Sequence, residues 1–192
     1  MQPNVTHKQL EQHAASVRRS IITMLEQAGS GHTAGALGLA DIMTALYFAV
    51  LHISPESPDW DERDLFVMSN GHCAPVLYAT LAERGFFPRT ELATLRQFGS
   101  RLQGHPERQA LPGVETTSGP LGSGLSQASG MAYHVRYLHP QPKRFVYCLI
   151  GDGELDEGNI WEAAMFASKY NLGNLIGIVD RSNIQICGST ED

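Results

Sequence analysis

Two apolar runs, "RFVYCLI" at 144–150 and "LIGIV" at 175–179, bracket a segment patterned as a helix from about 160 to 170. Runs this short suit buried strands, and two strands joined through a helix make a βαβ unit with both strands parallel in one sheet. No other feature constrains the fold as much. Upstream, Leu10, Ala14, Val17, Ile21, Met24 and Leu25 fall at helical spacing in a first helix that ends near Gly29, and another helix begins near Leu39. "LFVM" at 65–68 reads as a buried strand, "PVLYATLAERG" as a helix stopped by Gly85, and "ELATLRQF" as a short helix with Thr90 as its N-cap. From Gly99 to Gly124 the chain is rich in Gly, Pro, Ser and Thr, a stretch too long for a plain connector, and a helix then runs to about His139. This alternation predicts an α/β fold, a three-layer parallel sheet with helices on both faces, and its length predicts a single domain over residues 1–192.

Ligands of open parallel sheets sit beyond the carboxyl ends of the strands. One predicted strand ends at Gly151-Asp152-Gly153 and the next at Asp180-Arg181-Ser182-Asn183, so a right-handed crossover brings two oxygen-rich turns to one crevice. Asn159 is a suitable N-cap for the intervening helix, with Glu162 completing an Asn-x-x-Glu pattern close to the capping box. A hard divalent cation suits such turns, because Mg²⁺ takes carboxylate, phosphate and water oxygens. Taken alone, an Asp between two glycines is more often a structural turn.

Composition excludes other chemistries. The formal net charge of −6 argues against nucleic acid or an anionic membrane as the main partner, since those need a basic face. Cys73, Cys148 and Cys187 are odd in number and lack metal-ligand spacing, which argues against a disulfide framework or zinc site and for a reducing cytoplasm. The polar start "MQPNVTHKQLEQH" has no signal-peptide pattern, and no run reaches the roughly 20 apolar residues of a membrane span. "GSGHTA" at 29–34 imitates a dinucleotide fingerprint, yet a helix-patterned segment precedes it where that fingerprint needs a strand.

The order of the motifs carries a resemblance. "GDGELDEG" followed by "VDRSNIQ", with Ser182 thirty residues after Asp152, is similar to the thiamine-diphosphate motif of the transketolase superfamily. "GSGHTAGALGLADIMTALYF", "SNGHCAPVLYATLAERG", "QGHPE" and "TTSGPLGSGLSQASGMA" resemble, in sequence order, N-terminal blocks of transketolases. The resemblance implies thiamine diphosphate and Mg²⁺, or another divalent cation such as Ca²⁺ or Mn²⁺, as cofactors. It implies Asp152, Ser182, Asn183 and the carbonyl of Ile184 as candidate metal ligands. Gly119, Pro120, Leu121, Gly151, Asp152, Gly153, Glu157, Asn183 and His72 become candidate cofactor-site residues, with Leu121 packing on the thiazolium. His32, His72 and His105, each following a Gly, map to histidines of the substrate channel, where imidazoles relay protons and hydrogen-bond sugar hydroxyls. Glu157 resembles a family glutamate near the dimer interface that links the two cofactor sites. A plain solvated acid at a helix N-terminus is its equally weighted alternative.

Two positions depart from the family pattern: Ser182 stands where Asn is usual, and Cys187 where Asp is usual. A serine hydroxyl is a shorter and poorer neutral ligand, which implies weaker metal binding or recruitment of the adjacent Asn183. Thr33-Ala34 replaces the commoner Pro-Gly after His32. No acid matches the glutamate that activates the cofactor in the family's pyrimidine-binding domain, so the resemblance implies a diphosphate-binding part, incomplete at its C-terminus, that needs a pyrimidine-binding C-terminal transketolase subunit in a homo- or hetero-oligomer. The implied reaction moves a two-carbon ketol unit from a ketose phosphate to an aldose phosphate. The alternatives are another thiamine-diphosphate enzyme, such as deoxyxylulose-phosphate synthase, and a non-catalytic partner or degenerate fragment, which Ser182 and Cys187 favour.

Overall fold

Glycines end both of the long helices near the N-terminus. In the computed structural model, which describes residues 5–140, 144–185 and 188–190, α1 (His7–Ala28) stops at Gly29 with φ +62°, and its N-terminus is closed by a reciprocal Thr6–Gln9 capping box. α4 (Ala74–Arg84) stops at Gly85 with φ +99°. A left-handed residue is easiest for glycine, so both stops are written in the sequence. Between them lie the short helices α2 (Ala34–Gly38) and α3 (Ala40–Ala45), the latter running into a wider turn at Leu46–Val50.

The described residues gather into two compact units, one comprising Met1–Arg63 and His72–Thr117, the other Asp64–Gly71 and Ser118–Asp192. In the first unit, α1 packs on α3 and α4 through Val17, Ile21, Met24 and Leu25. Glu83 of α4 is held by Ser16 Oγ at 2.8 Å and by the Arg89 guanidinium at 2.7 Å. The segment after Gly85 differs from the expected helix: Arg89–Thr94 is a 3₁₀ turn that starts after Pro88, and Thr90 lies inside it and makes no cap. The fixed φ of Pro88 supplies the start that Thr90 was expected to supply. The long Gly-rich loop has few regular turns of its own, but ion pairs and hydrogen bonds pin it. Arg63 forks onto Glu115 with both bonds at 2.9 Å, Arg101 forks onto Glu91 at 2.8 Å, and Tyr78 Oη donates to the carbonyl of Gln103 at 2.9 Å.

The second unit holds the sheet. β1 (Leu65–Met68), β2 (Val146–Gly151) and β3 (Leu175–Asp180) pair in parallel in that order, with Leu65 opposite Val146 and Gly151 opposite Asp180. The expected parallel α/β architecture is present, and β2, α6 (Gly158–Lys169) and β3 form the expected βαβ unit. Period-two alternation sends Leu65, Val67, Val146, Cys148 and Ile150 to one face, where they meet Leu125, Ala128 and Ala132 of α5 (Ser123–Tyr133) and Ile160 and Ala163 of α6. The alternate residues Phe66, Met68 and Leu149 are buried as well, as expected for a sheet covered on both faces. α6 differs from expectation at its start. Glu157 is the N-cap residue, with no side-chain cap bond, and Asn159 is inside the helix with its Oδ1 buried. Two two-residue strands, β4 (Ile184–Gln185) and β5 (Gly188–Ser189), pair antiparallel beyond β3. Cys73 and Cys148 are buried thiols, and burial together with the charge of Glu154 pushes the Cys148 thiol far up. The departure at Cys187 lies outside the described residues. Among the described residues no helix is long and apolar enough to cross a membrane.

Candidate functional site

The carboxyl ends of β2 and β3 carry the turns that sequence singled out. Immediately after β2, Asp152 begins a 3₁₀ turn that runs to Asp156. Its Oδ1 accepts the Gly153 N–H at 3.0 Å and its Oδ2 accepts the Ser182 N–H at 2.8 Å. Ser182 Oγ stands 3.3 and 3.2 Å from the two Asp152 oxygens and 3.1 Å from the carbonyl oxygen of Ile184. A hydroxyl has one proton, and here three acceptor oxygens surround it. Such an excess of oxygen lone pairs over protons suits a hard cation. Asp180, paired with Gly151 across the sheet, has its carboxyl raised above the usual range by burial and then by the negative charge of Asp152, and a cation between the strand ends would relieve that repulsion. Among the described residues no three His, Cys, Asp or Glu side chains converge as a metal cluster, so a cation here draws on hydroxyl and backbone oxygens besides Asp152. Asn183 is turned differently: it takes φ +64°, its carbonyl accepts the Thr190 N–H at 3.2 Å, and the residue is exposed. The structure brings Asp152, Ser182 and the Ile184 carbonyl together.

The Gly119-Pro120-Leu121-Gly122 turn leads into α5. The Pro120 carbonyl accepts the Ser123 Oγ proton at 2.8 Å, and Leu121 is 42% exposed, an apolar side chain open to contact. Gly122 takes φ +79°, and a Cβ there would collide with Asn159 Oδ1 and lie 2.9 Å from Glu157 Cβ. The turn therefore passes close over the start of α6, as backbone can only with glycine at that point. Glu157 itself is exposed. Asn70 Oδ1, Ser118 Oγ and Asn159 Oδ1 are among the buried polar atoms of this unit that have no hydrogen-bond partner among the described residues, and buried polar groups of that kind mark a place where a polar ligand or water completes the bonding. Between them, these turns offer an oxygen nest for a cation and close-approaching glycine backbone beside it, a set that fits a metal-bound diphosphate.

The three candidate histidines, His32, His72 and His105, belong to the first unit. His32 and His72 rings stand edge to face with centroids 5.2 Å apart. His105 joins them electrostatically: its imidazole is held below the usual value of 6.5 by partial burial first, then by His32 and by Arg96. The backbone beside His105 is anchored by Tyr78, whose hydroxyl reaches the His105 carbonyl at 3.3 Å and whose ring is fully buried. Imidazoles grouped in this way are suited to proton transfer. Arg96 is a member of this cluster that sequence reasoning missed. It holds the left-handed φ of +61°, donates its N–H to the Leu102 carbonyl at 2.8 Å, and lays its guanidinium over Gly104, 3.1 Å from where a Cβ would stand. The glycine before His105 was the available signal, because only a residue without a side chain leaves room for that guanidinium.

Comparison with known proteins identifies the family. The family model for the transketolase thiamine diphosphate binding domain matches residues 10–192. One subunit of an apulose-4-phosphate transketolase from Phocaeicola vulgatus is 43% identical over 183 residues, covering 95% of this chain and 64% of that protein. A 6-deoxy-6-sulfo-D-fructose transketolase subunit of Clostridium sp. is 43% identical over 182 residues, covering 94% of this chain and 66% of that protein. Among solved structures, a transketolase from Leishmania mexicana superposes with a TM-score of 0.89 at 38% identity, over 95% of this chain and 28% of that one. The chain thus spans just under two thirds of the length of these two subunit relatives.

Proposed function

Since the chain belongs to the transketolase family, as its thiamine diphosphate binding part, we propose that residues 1–192 act as one diphosphate-binding domain that completes a ketol-transfer site together with a pyrimidine-binding transketolase subunit. The observation that carries this reading is the oxygen nest of Asp152, Ser182 Oγ and the Ile184 carbonyl. Asp152, Ser182 and the Ile184 carbonyl would hold Mg²⁺ or another divalent cation, and with it the diphosphate of thiamine diphosphate, which would supply an electron sink for the transferred two-carbon unit. Asp152 is the one full anionic ligand. Ser182 supplies a neutral oxygen in place of the family's amide, with its N–H still fixing the Asp152 carboxylate. Gly151, Gly153 and Gly119 let backbone approach the diphosphate, and Leu121 gives an apolar contact for the cofactor's ring. Asn183 keeps the left-handed turn that presents the Ile184 carbonyl and stands as a cofactor contact through its backbone.

His32, His72 and His105 hold and move protons on the sugar hydroxyls. The lowered affinity of His105 for a proton keeps it able to accept one at neutral pH. The substrates are a ketose phosphate donor and an aldose acceptor, and the relatives named for apulose 4-phosphate and sulfofructose support testing donors outside the common pentose phosphates. Glu157, exposed at the start of α6, faces the partner across the assembly's interface. Co-expression with the pyrimidine-binding subunit of the same organism, followed by a ketol-transfer assay over a panel of ketose phosphates, tests this reading. Transfer by the pair and none by either chain is the expected result, and a cofactor-loaded pair without transfer on any donor overturns it.

A further inference from the structure

Glu154 takes no part in the contacts assigned above to metal or cofactor, yet it is the most deeply buried acid among the described residues, 1% exposed. Its carboxylate gathers three separate segments of the second unit. Oε1 accepts the Ser69 hydroxyl at 2.6 Å and the Gly122 N–H at 2.8 Å, and Oε2 accepts the Gly151 N–H at 2.8 Å. Ser69 follows β1 directly, Gly122 closes the Gly119–Gly122 turn, and Gly151 opens the Asp152 turn. Ser69 Oγ in turn accepts the Gly124 N–H at 3.2 Å, which commits its own proton to Glu154. Every donor around this carboxylate thus calls for an acceptor, and its two oxygens supply one to each. No ion pair to a Lys or Arg accompanies it among the described residues. The carboxylate is instead held by two backbone N–H groups, that of Gly122 at the N-terminus of α5 and that of Gly151 at the end of β2.

The packing around it leaves no slack. A Cβ on Gly124 would meet Ser69 at 2.5 Å, and a Cβ on Gly71 would meet Ser118 and Gly119 at 2.7–2.8 Å. The strand end, the Gly119–Gly122 turn and the Asp152 turn are thereby locked together, and the Glu154 carboxylate bonds to all three. We propose that Glu154 is a positioning residue for the cofactor: it touches neither metal nor diphosphate but holds the two turns that do at their working separation. This rests on the diphosphate reading of those turns. Groups that orient ligands without touching the ion commonly contribute about 10–100-fold in affinity, and Glu154 acts on both turns at once.

The test uses the full chain, with Mg²⁺ and thiamine diphosphate titrated by calorimetry and amide exchange followed by NMR. Glu154→Gln keeps the shape but turns an NH₂ toward Gly151 or Gly122, a donor facing a donor. The expected result is a folded protein that binds thiamine diphosphate about 10–100-fold more weakly, with faster exchange at Gly122 and Gly151 while the β2–β3 amides stay protected. Glu154→Ala should be weaker still. Ser69→Ala, which removes one donor and leaves the two backbone bonds to the carboxylate in place, should lose less in the same direction, and it decides the matter if Glu154→Gln does not fold. Affinity equal to the parent's in any folded Glu154 variant, or in Ser69→Ala when neither Glu154 variant folds, overturns the positioning role and leaves the diphosphate reading intact. A parent that binds no thiamine diphosphate overturns the diphosphate reading and this role with it, even where the exchange data show the three segments tied through Glu154.

Discussion

Ser182 donates its backbone N–H to Asp152 Oδ2 at 2.8 Å across thirty residues of chain. The bond ties the end of β3 to the end of β2 and leaves the serine hydroxyl among three oxygens. The departure from Asn at this position therefore leaves the turn intact and changes the ligand presented. Asp152→Ala removes the carboxylate that Ser182 and Gly153 hold in the nest and should abolish magnesium-dependent binding of thiamine diphosphate. Ser182→Asn should preserve or strengthen it, because an amide oxygen reaches further. Calorimetry with and without Mg²⁺ checks both, and a parent-like Asp152→Ala would remove the metal assignment.

His105 gives a prediction with a sign. Its folded-state value lies below 6.5, the value of the free side chain, through partial burial, then His32, then Arg96. The unfolded chain therefore takes the proton first as pH falls, so His105's contribution to stability is constant above 6.5 and is lost as pH drops from there toward the folded value. Imidazole NMR should give a His105 midpoint below 6.5. Arg96→Ala should raise that midpoint without restoring it fully, since burial is the larger cause. A midpoint at or above the free value would break the cluster as described.

The Arg63–Glu115 fork carries a stability prediction. Both side chains are largely buried, 13% and 10% exposed, with the two nitrogen–oxygen distances at 2.9 Å. Arg63→Met takes the guanidinium fork away from a buried Glu115, and breaking a buried pair by removing one partner costs about 3–5 kcal/mol. Urea denaturation is the measurement. A loss within the range of an ordinary surface substitution would mean that water reaches Glu115 and replaces the guanidinium.

α6 presents Trp161 and Met165, 58% and 66% exposed and four residues apart, with Phe166 beside them at 38%. Apolar side chains grouped in this way on a helix mark an association surface. The isolated chain should associate with itself or with its partner through this helix, and Trp161→Glu with Met165→Lys should weaken the association. Light scattering over a range of concentrations decides it, and a parent that stays monomeric throughout contradicts the expectation.

The parts of the fold legible in the sequence were those set by local rules. The helical spacing from Leu10 to Leu25, the stops at Gly29 and Gly85 and the strand pair around α6 all follow from periodicity and glycine. The Asp152–Ser182 approach was legible because parallel strands bring their ends together. What was not legible depended on tertiary packing. Thr90 and Asn159 have good capping chemistry, but Pro88 and the backbone of Glu157 start those helices instead. Arg96 takes a left-handed conformation that nothing in its neighbours announces. Glu154 looked like one more acid among Asp152, Asp156 and Glu157, and only the fold shows that it points inward while Asp156 and Glu157 point to solvent. A buried carboxylate is improbable until its three donors are in place, and those come from three distant segments.

The position of a bound cation tests the diphosphate-binding role most directly. Crystals of the full chain grown with Mn²⁺ and thiamine diphosphate, with an anomalous difference map, should place one manganese peak in the nest, with Asp152, the Ile184 carbonyl and diphosphate oxygens among its ligands. A bound thiamine diphosphate whose manganese lies away from Asp152, or a map with no peak between the ends of β2 and β3 at saturating metal and cofactor, would contradict it.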